Sequence, residues 1–328
     1  MEKVLKRTFK MPGPILVSNR GPEININGIA LESNGGGLQR VLLNTIEEKY
    51  GVWVSKSTTD TEKEIFWNQP KMQFQYGDGV ISVRKPIIDS LDYGKSSRFV
   101  NEFWWPFLHL TYERLDKTSL NYGENSTIFP TPIFSASDYN AHKRVSESFG
   151  KDILEEILSN PENPIVFHDF QEILSLGYVV NNIPERKAPI GFFLHTPFFD
   201  YNLVKDDLLR KEPIKFHVGE SVEALLRCDL IGFQINDYAE KFVDLVNNTK
   251  KDEVKVKDEN GFLVIEGIGT GHKTRIGVYP VGIDLEDTKR AIKDKALPRY
   301  SAFDFGKEIN RLRDNNALIS VQIGRADY

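Results

Sequence analysis

The chain has 328 residues, of which 40% are hydrophobic and 27% charged, and its formal net charge at pH 7 is -5. This length suits one large or two medium domains with a buried core, and the composition is that of an ordinary soluble protein. So small a net charge gives no support to the wrapping of nucleic acid or to binding at an anionic membrane surface. The single cysteine, Cys228, excludes an intrachain disulfide and a cysteine-rich metal site, and it fits a reducing compartment.

Residues 1–13 form a basic leader, which we predict to be disordered. The leader lacks the apolar run of a signal peptide, and no segment of the chain approaches the roughly 20 apolar residues of a membrane-spanning helix. We therefore expect a cytoplasmic protein with neither a membrane nor a nucleic-acid partner.

Short apolar runs characterise the amino-terminal part of the chain. Strands are predicted at "PILVSNR", "VWVSKS", "EIFWNQ" and "VISVRK". The stretch "SNGGGLQRVLLNTIEEKYG" predicts a glycine loop followed by a helix that Gly51 terminates.

Two longer segments in the middle of the chain predict helices. Residues 97–115 are apolar on too many sides for a surface helix, so they predict a buried helix or a pair of helices bent near Pro106. Residues 137–158 predict a helix that is broken at Gly150.

Strand and helix patterns alternate from residue 164 onward. Strands are predicted at "PIVFHDF", "APIGFFLH" and "DLIGFQ", and helices at "QEILSLGYVVNNI", "VGESVEALLRC" and "NDYAEKFVDLVNN". We expect Asn236 or Asp237 to be the N-cap of the last of these helices. Apolar strands that alternate with helices are typical of a parallel sheet covered on both faces, which places the chain in the α/β class with a Rossmann-like sheet.

The carboxy-terminal region predicts a hairpin that turns at residues 259–261 and a further strand at "NALISVQIGRADY". The stretch "GIGTGHKT" superficially resembles a phosphate-binding loop, but it precedes a strand instead of a helix. We interpret it as a turn.

Polar residues follow the first predicted strand, where "SNR" precedes the glycines Gly35, Gly36 and Gly37. Adjacent glycines allow backbone N–H groups to approach a phosphate, and the helix that follows adds partial positive charge. Arg20 could bind an anion through two hydrogen bonds. A flexible surface loop is an equally good explanation of three glycines.

Three more polar groups stand at predicted strand ends. Asp169 could accept a hydrogen bond from a sugar hydroxyl or cap the next helix, and His195 could belong to a site or simply lie at the rim of the core. Arg325 could neutralise a pyrophosphate or be a solvated strand end. The carboxyl ends of parallel strands meet at one crevice, which favours the functional interpretation. We find no metal-ligand spacing, nucleophile elbow or Walker loop in the sequence, so we predict no metal site.

The motifs "ILVSNR", "NGGGL", "WWPFLH", "VFHDF", "GFFLHTPF", "CDLIGFQINDYAEKFV" and "VYPVGID" occur in the order and approximate spacing of the trehalose-6-phosphate synthase family. The sequence resembles that family from about Ile15 to Tyr328. The resemblance implies one half of a GT-B fold, with an acceptor-side domain at 14–312 and the linker and first strand of a donor-side domain at 313–328. It also implies a missing donor-side domain, supplied in cis or by a separate chain, and allows a homo-oligomer.

Enzymes of this family transfer glucose from a nucleotide sugar to a sugar phosphate with retention of configuration and without an obligatory metal. The resemblance therefore implies a glycosyltransferase of trehalose biosynthesis that uses no cofactor beyond its nucleotide-sugar co-substrate. It implies that Arg20 holds the phosphate of the acceptor, that Asp169 bonds the acceptor sugar, and that Trp105 packs nearby. By the same resemblance, the isolated chain is incomplete and inactive.

On the donor side, the resemblance places Gly36 and Gly37 at the diphosphate, Arg325 at the donor phosphates and His195 beside the reacting glucosyl group. Physically, such donors stabilise charge as the glycosidic bond lengthens. A closed cleft aligns the sugars and excludes water.

The chain departs from the family pattern at two usually aromatic positions, which are Lys56 and Ser96, and it has "GRAD" near its end. These differences leave open a related transferase that uses glycerol 3-phosphate or a cyclitol phosphate, as in the validamycin-type pseudo-glycosyltransferases. A further alternative is a non-catalytic sugar-phosphate-binding subunit that pairs with a separate donor-domain chain.

Overall fold

The computed structural model describes residues 13–22, 24–26, 29–31, 42, 46, 51–57, 59–76, 79–109, 132–183, 186–206 and 209–282. The chain divides into two compact units, Met1–Pro280 and Val281–Tyr328. Because the second unit is described only at residues 281 and 282, the fold reported below is that of the first. The predicted leader, apart from residue 13, and the predicted strand at 316–328 lie outside the described residues, and the boundary at 312 stays a prediction.

The described strands are β1 (Ile15–Ser18), β2 (Ile24–Ile26), β3 (Ile29–Leu31), β4 (Val52–Ser55), β5 (Lys71–Tyr76), β6 (Gly79–Arg84), β7 (Ile165–His168), β8 (Ile190–Leu194), β9 (Leu230–Phe233), β10 (Val254–Glu259), β11 (Phe262–Gly267) and β12 (Lys273–Val278). The described α-helices are α1 (Asp60–Phe66), α2 (Ser90–Phe99), α3 (Trp105–Leu108), α4 (Ala136–Ser159), α5 (Ile173–Asn182), α6 (Tyr201–Val204), α7 (Glu212–Leu225) and α8 (Asn236–Thr249). A π-helical turn (Val100–Trp104) joins α2 to α3, and a 3-10 turn (Phe170–Glu172) precedes α5.

Ten of the strands form one sheet in the order β10-β11-β12-β9-β8-β7-β1-β4-β6-β5, and β2 pairs with β3 separately. The seven strands from β12 through β6 in this order are parallel to one another. Both edges are antiparallel, because β5 pairs with β6 and β10 pairs with β11 as hairpins. A short turn can join only antiparallel strands, so these hairpins add antiparallel edges to the parallel centre and the sheet as a whole is mixed. The α/β class and the Rossmann-like centre are confirmed.

The central strands are buried on both faces, as their continuous apolar sequences predict. Ile15 and Val17 belong to a large core on one face, whereas Leu16 and Trp53 belong to a smaller core on the other. Helices supply the opposing surfaces, for example Ile153 of α4 in the large core. Of the helix predicted after the triple glycine, the structure describes Leu42 and Ile46, which are helical and contribute to the smaller core.

The predicted strand "EIFWNQ" is wrong, because its first half lies in helix α1 and its second half is not a strand. Thr59 and Glu62 form a reciprocal capping box in which each side chain accepts a hydrogen bond from the other residue's backbone N–H. Such a cap stabilises the first turn of a helix and outweighs the β preference of the aromatic residues that follow.

The predicted break at Gly150 is also wrong, because α4 runs through it. Glycine is used here for close packing: a Cβ at this position would lie 2.6 Å from the Tyr178 ring on α5. At the start of α8, the N-cap is Ile235 and makes no side-chain capping bond, so neither Asn236 nor Asp237 has the predicted role.

Other predictions are confirmed. Asn260 and Gly261 adopt positive φ at the hairpin turn between β10 and β11, and "GIGTGHKT" is a turn that leads into β12. Among the described helices, none is long and apolar enough to cross a membrane.

Candidate active site

The order of the sheet defines where a crevice is expected. From β1 the chain builds outward through β4 and β6, then returns to place β7 on the other side of β1 and builds outward through β8 and β9. The carboxyl ends of β1 and β7 therefore flank the topological switch point, which is the usual ligand-binding position in such sheets. Arg20 follows β1 and Asp169 follows β7, so the structure brings these two predicted residues to neighbouring strand ends.

The loop after β1 is fixed by side-chain hydrogen bonds. The hydroxyl of Ser18 donates to the Arg20 carbonyl at 2.6 Å and accepts from the indole N–H of Trp53 at 2.8 Å. At Gly21, a Cβ would lie 2.4 Å from Ser55 Oγ, so only glycine allows the loop to pass so close to β4. The loop is anchored in this way while the side chain of Arg20 stays exposed at the rim.

Asp169 has a strained backbone, with φ 70° and ψ 164°. Non-glycine residues rarely occupy this region, and those that do are concentrated at functional sites. The Asp169 N–H donates to the Phe193 carbonyl at 2.8 Å, and its Oδ1 accepts from the His195 N–H at 3.3 Å. Asp169 occupies the N-cap position of the 3-10 turn, but its side chain makes no capping hydrogen bond there. Burial raises the pKa of Asp169 to about 7.

The ring of His195 lies between side chains from the two flanking strands. Its Nε2 is 3.1 Å from His168 Nδ1, and its Nδ1 is 3.4 Å from Gln234 Nε2. Burial lowers the pKa of His195 to about 4 and that of His168 to about 3. Both imidazoles are therefore neutral at neutral pH.

Trp105 lies close to the same strand ends. Its ring centroid is 6.3 Å from that of Phe170, the residue after Asp169, and 4.0 Å from that of His109. The Trp105 carbonyl also lies 2.6 Å from His109 Nδ1. The half-buried indole thus belongs to the neighbourhood of Asp169, although it is more than sixty residues away in sequence.

A buried ion pair beneath this region was not predicted from the sequence. Lys56 Nζ lies 2.6 Å from Glu172 Oε1, with the two side chains 2% and 0% exposed. The same ammonium donates to Asn19 Oδ1 at 3.5 Å and lies 4.9 Å from the centre of the Phe149 ring. Lys56 therefore connects the loop that holds Arg20 to the turn that follows Asp169.

The two departures from the family pattern are both buried. Lys56 is bound to Glu172, and Ser96 is 4% exposed with its hydroxyl 2.9 Å from His142 Nδ1. Their polar groups are thus engaged with partners inside the protein. Burial lowers the pKa of His142 well below its usual value, and the charge of Lys56 lowers it further.

The remaining predicted residues, Gly36, Gly37 and Arg325, lie outside the described residues. Within the described part of the chain, no group of three or more His, Cys, Asp or Glu side chains is arranged to hold a metal ion. A surface groove of about 820 Å³ lies elsewhere, between α4, α5 and α7. Several of the charges that line it are paired with one another, as in Lys143 with Glu220 and Lys250 with Glu223, so we do not assign the site there.

Comparison with known proteins gives a consistent result. A family model described as glycosyltransferase family 20 matches residues 13–303. Over 327 residues, the chain is 26% identical to the bifunctional trehalose-6-phosphate synthase/phosphatase of Thermoproteus tenax, covering 96% of this chain and 38% of that protein.

Two solved structures have the same fold. One is an α,α-trehalose-phosphate synthase (UDP-forming) from Burkholderia xenovorans in complex with glucose-6-phosphate, with a TM-score of 0.61, 22% identity and coverage of 88% of this chain and 53% of that one. The other is from E. coli, bound with UDP-2-fluoro glucose, with a TM-score of 0.59, 20% identity and coverage of 92% and 54%. The chain thus spans about half the length of the structures it matches.

Proposed function

The chain belongs to glycosyltransferase family 20, and we propose that it supplies the acceptor-binding part of an enzyme that transfers a glucosyl group from a nucleotide sugar to a sugar phosphate. The observation that supports this most directly is that Arg20, Asp169 and His195 follow the carboxyl ends of the parallel strands β1, β7 and β8. The Trp105 ring lies 6.3 Å from the ring of Phe170, the residue after Asp169. Arg20 and Asp169 lie on the two sides of the topological switch point.

We assign phosphate binding to Arg20. Its side chain is exposed at the rim, and its backbone carbonyl accepts a hydrogen bond from Ser18. The charge is therefore accessible to a ligand while the backbone that carries it is held in place. Guanidinium binds phosphate through two parallel hydrogen bonds, which adds geometric selectivity to charge attraction.

We assign recognition of the sugar to Asp169 and Trp105. A partly buried carboxyl group can accept hydrogen bonds from hydroxyls, and an aromatic face covers the apolar face of a sugar ring. Since burial raises the pKa of Asp169 to about 7, protonation competes with hydroxyl binding close to neutral pH.

His195 is a neutral polar group in this scheme and not a base. Burial holds its pKa at about 4, and both ring nitrogens face protein side chains. A retaining transfer in which the leaving phosphate assists the attacking hydroxyl needs no side-chain base, which agrees with such a histidine.

We propose glucose 6-phosphate as the acceptor because the B. xenovorans enzyme of the same fold is named in complex with it. Since the chain spans about half of that enzyme, we infer that these 328 residues bind the acceptor but transfer glucose slowly on their own. We also assign donor-phosphate contacts to Gly36, Gly37 and Arg325, on the family resemblance alone.

Calorimetric titration of the 328-residue chain with glucose 6-phosphate, glucose and inorganic phosphate tests the acceptor assignment. Charge-assisted hydrogen bonds contribute about 1.5–3 kcal/mol, so Arg20→Ala should weaken glucose 6-phosphate binding about 10- to 100-fold and leave the weak binding of glucose unchanged. Arg210→Ala, at another exposed arginine, which lies before α7, is the matched control and should change neither. Equal affinity of native and Arg20→Ala chains would contradict the assignment, and tighter binding of glycerol 3-phosphate than of glucose 6-phosphate would favour a different acceptor.

A further inference from the structure

His168 is the residue of the site region for which neither the sequence nor the comparisons suggest a role. It is the last residue of β7, its side chain lies inside the protein, and it is 6% exposed. Its Nδ1 is hydrogen-bonded to His195 Nε2, whereas its buried Nε2 has no hydrogen-bond partner among the described residues.

A buried imidazole with an unpartnered nitrogen is unfavourable for folding. A buried polar atom without a partner lowers stability, and an apolar side chain of similar volume would avoid that loss. Such atoms in native proteins call for an explanation, and a role at a site is one of the recognised explanations. For His168, the hydrogen bond to His195 is the contact that could outweigh the stability lost at the unpartnered Nε2.

The geometry sets a direction for the hydrogen bonds. Gln234 presents its side-chain nitrogen to His195 Nδ1, and an amide nitrogen can only donate. Because His195 is neutral, accepting at Nδ1 leaves its single ring proton on Nε2, from which it donates to His168 Nδ1. The three side chains come from the ends of adjacent strands, so each strand end fixes one member of the relay.

We propose that His168 is a positioning residue: it accepts the Nε2–H of His195 and, together with Gln234, holds that imidazole in one tautomer and one orientation at the site. This inference rests on the proposed function for what His195 contacts, but the hydrogen-bond relay itself can be tested without substrate. A fixed, neutral ring is pre-organised for binding, which is how residues behind a site commonly act on the residues that touch a ligand.

The direct test is nitrogen NMR of the uniformly 15N-labelled 328-residue chain. An N–H···N hydrogen bond gives a scalar coupling between its two nitrogens, so we expect a coupling between His195 Nε2 and His168 Nδ1, with the proton on His195. Absence of this coupling in the folded native chain, or a proton found on His168 Nδ1, would overturn the proposal. The native chain alone decides this, so the test does not depend on the folding of any variant.

Two variants separate positioning from packing. His168→Asn keeps an acceptor near the position of Nδ1 and should keep His195 in its native tautomer, whereas His168→Leu removes the acceptor and should give a mixed or reoriented His195 ring. His217→Leu is the matched control, at another buried histidine whose ring nitrogens have no hydrogen-bond partner among the residues that the structure describes. It should leave the His195 signals unchanged. An unchanged His195 spectrum in folded His168→Leu would refute the positioning role.

Transfer kinetics provide a second test of the positioning role. If His168 orients His195 for transfer, His168→Leu should lower kcat about 10- to 100-fold with an unchanged KM for the sugar phosphate, and His168→Asn should recover most of the loss. A protein that forms the coupling but neither binds glucose 6-phosphate nor transfers glucose would contradict the proposed function while supporting the relay. The two failures are therefore distinguishable.

Discussion

Replacement of Asp169 by asparagine should stabilise the protein and weaken its site at the same time. Burial raises the pKa of this carboxyl group from its ordinary value of 3.8 to about 7, which means that the folded chain resists the charged form. Between about pH 4 and pH 7 the folded chain therefore holds a proton that the unfolded chain has lost. The free energy of unfolding contributed by this residue is fully present below about pH 4 and is lost as pH rises through 7.

The size of the effect follows from the shift. Each pKa unit corresponds to about 1.4 kcal/mol, so the shift from 3.8 to about 7 sets an upper bound of about 4 kcal/mol for the fully charged form. Because the side chain is only partly buried, water relieves much of this, and we expect about 1–2 kcal/mol. Asparagine also retains the oxygen that accepts from the His195 N–H.

Urea unfolding of native and Asp169→Asn chains at pH values from 4 to 8 measures the difference. The variant should be more stable by about 1–2 kcal/mol at pH 8 and equal to the native chain at pH 4, with the same m-value throughout. Asp252→Asn, at an exposed position after α8, is the control and should give no pH-dependent difference.

Binding should move in the opposite direction to stability. Loss of a charged acceptor should reduce the affinity for glucose 6-phosphate about 10- to 100-fold at pH 8, because hydrogen bonds to charged groups contribute about 1.5–3 kcal/mol. A gain in stability that is as large at pH 4 as at pH 8 would show that backbone strain, not charge, is relieved. No gain at pH 8 would refute the reasoning altogether.

Three further predictions concern the core. Lys56→Met should destabilise the chain by about 3–5 kcal/mol in urea unfolding, because it leaves the buried Glu172 carboxylate without its positive partner. The double variant Lys56→Met/Glu172→Leu should be within about 1–2 kcal/mol of the native chain. A double variant as unstable as the single one would refute this. Burial lowers the pKa of His217 to about 3, so the unfolded chain takes up a proton at this residue before the folded chain does as pH falls. The free energy of unfolding should therefore decline from about pH 6.5 toward pH 3, and His217→Leu should make that decline less steep. An equally steep decline in the variant would contradict this. Gly150→Ala should lower thermal stability by about 1–2 kcal/mol because its Cβ collides with a tyrosine ring, while Gly219→Ala, whose Cβ meets no neighbour, should raise it by up to about 1 kcal/mol. Changes of the same sign in both glycine variants would contradict the packing argument.

The sequence was sufficient to predict the centre of the fold because the signal there is local. Strands β1, β7, β8 and β9 are short apolar runs that end at polar residues, and their parallel pairing places those ends along one edge. Arg20, Asp169 and His195 could be proposed as site residues for this reason. No contact between distant residues had to be known.

The parts that were missed depend on contacts between distant residues. Lys56 and Glu172 lie 116 positions apart, so nothing in either segment indicates the pair. Gly150 normally weakens a helix, but close packing against α5 maintains the helix in this case. The positive φ of Asp169 accompanies a hydrogen bond from its N–H to the Phe193 carbonyl of β8, and no residue pattern predicts it.

The distribution of charge across the candidate site supports a ligand that is anionic at one end and neutral at the other. Arg20 presents its positive charge at the exposed rim, where water offsets the penalty of keeping it ionised. Further in, burial holds His168 and His195 uncharged and favours the neutral form of Asp169. A sugar phosphate fits this gradient, because its phosphate can remain at the rim while its hydroxyls replace water around the inner polar groups. An anion buried at Asp169 would oppose that carboxylate, so we expect phosphate alone to bind at the rim and to leave the signals of His195 unchanged.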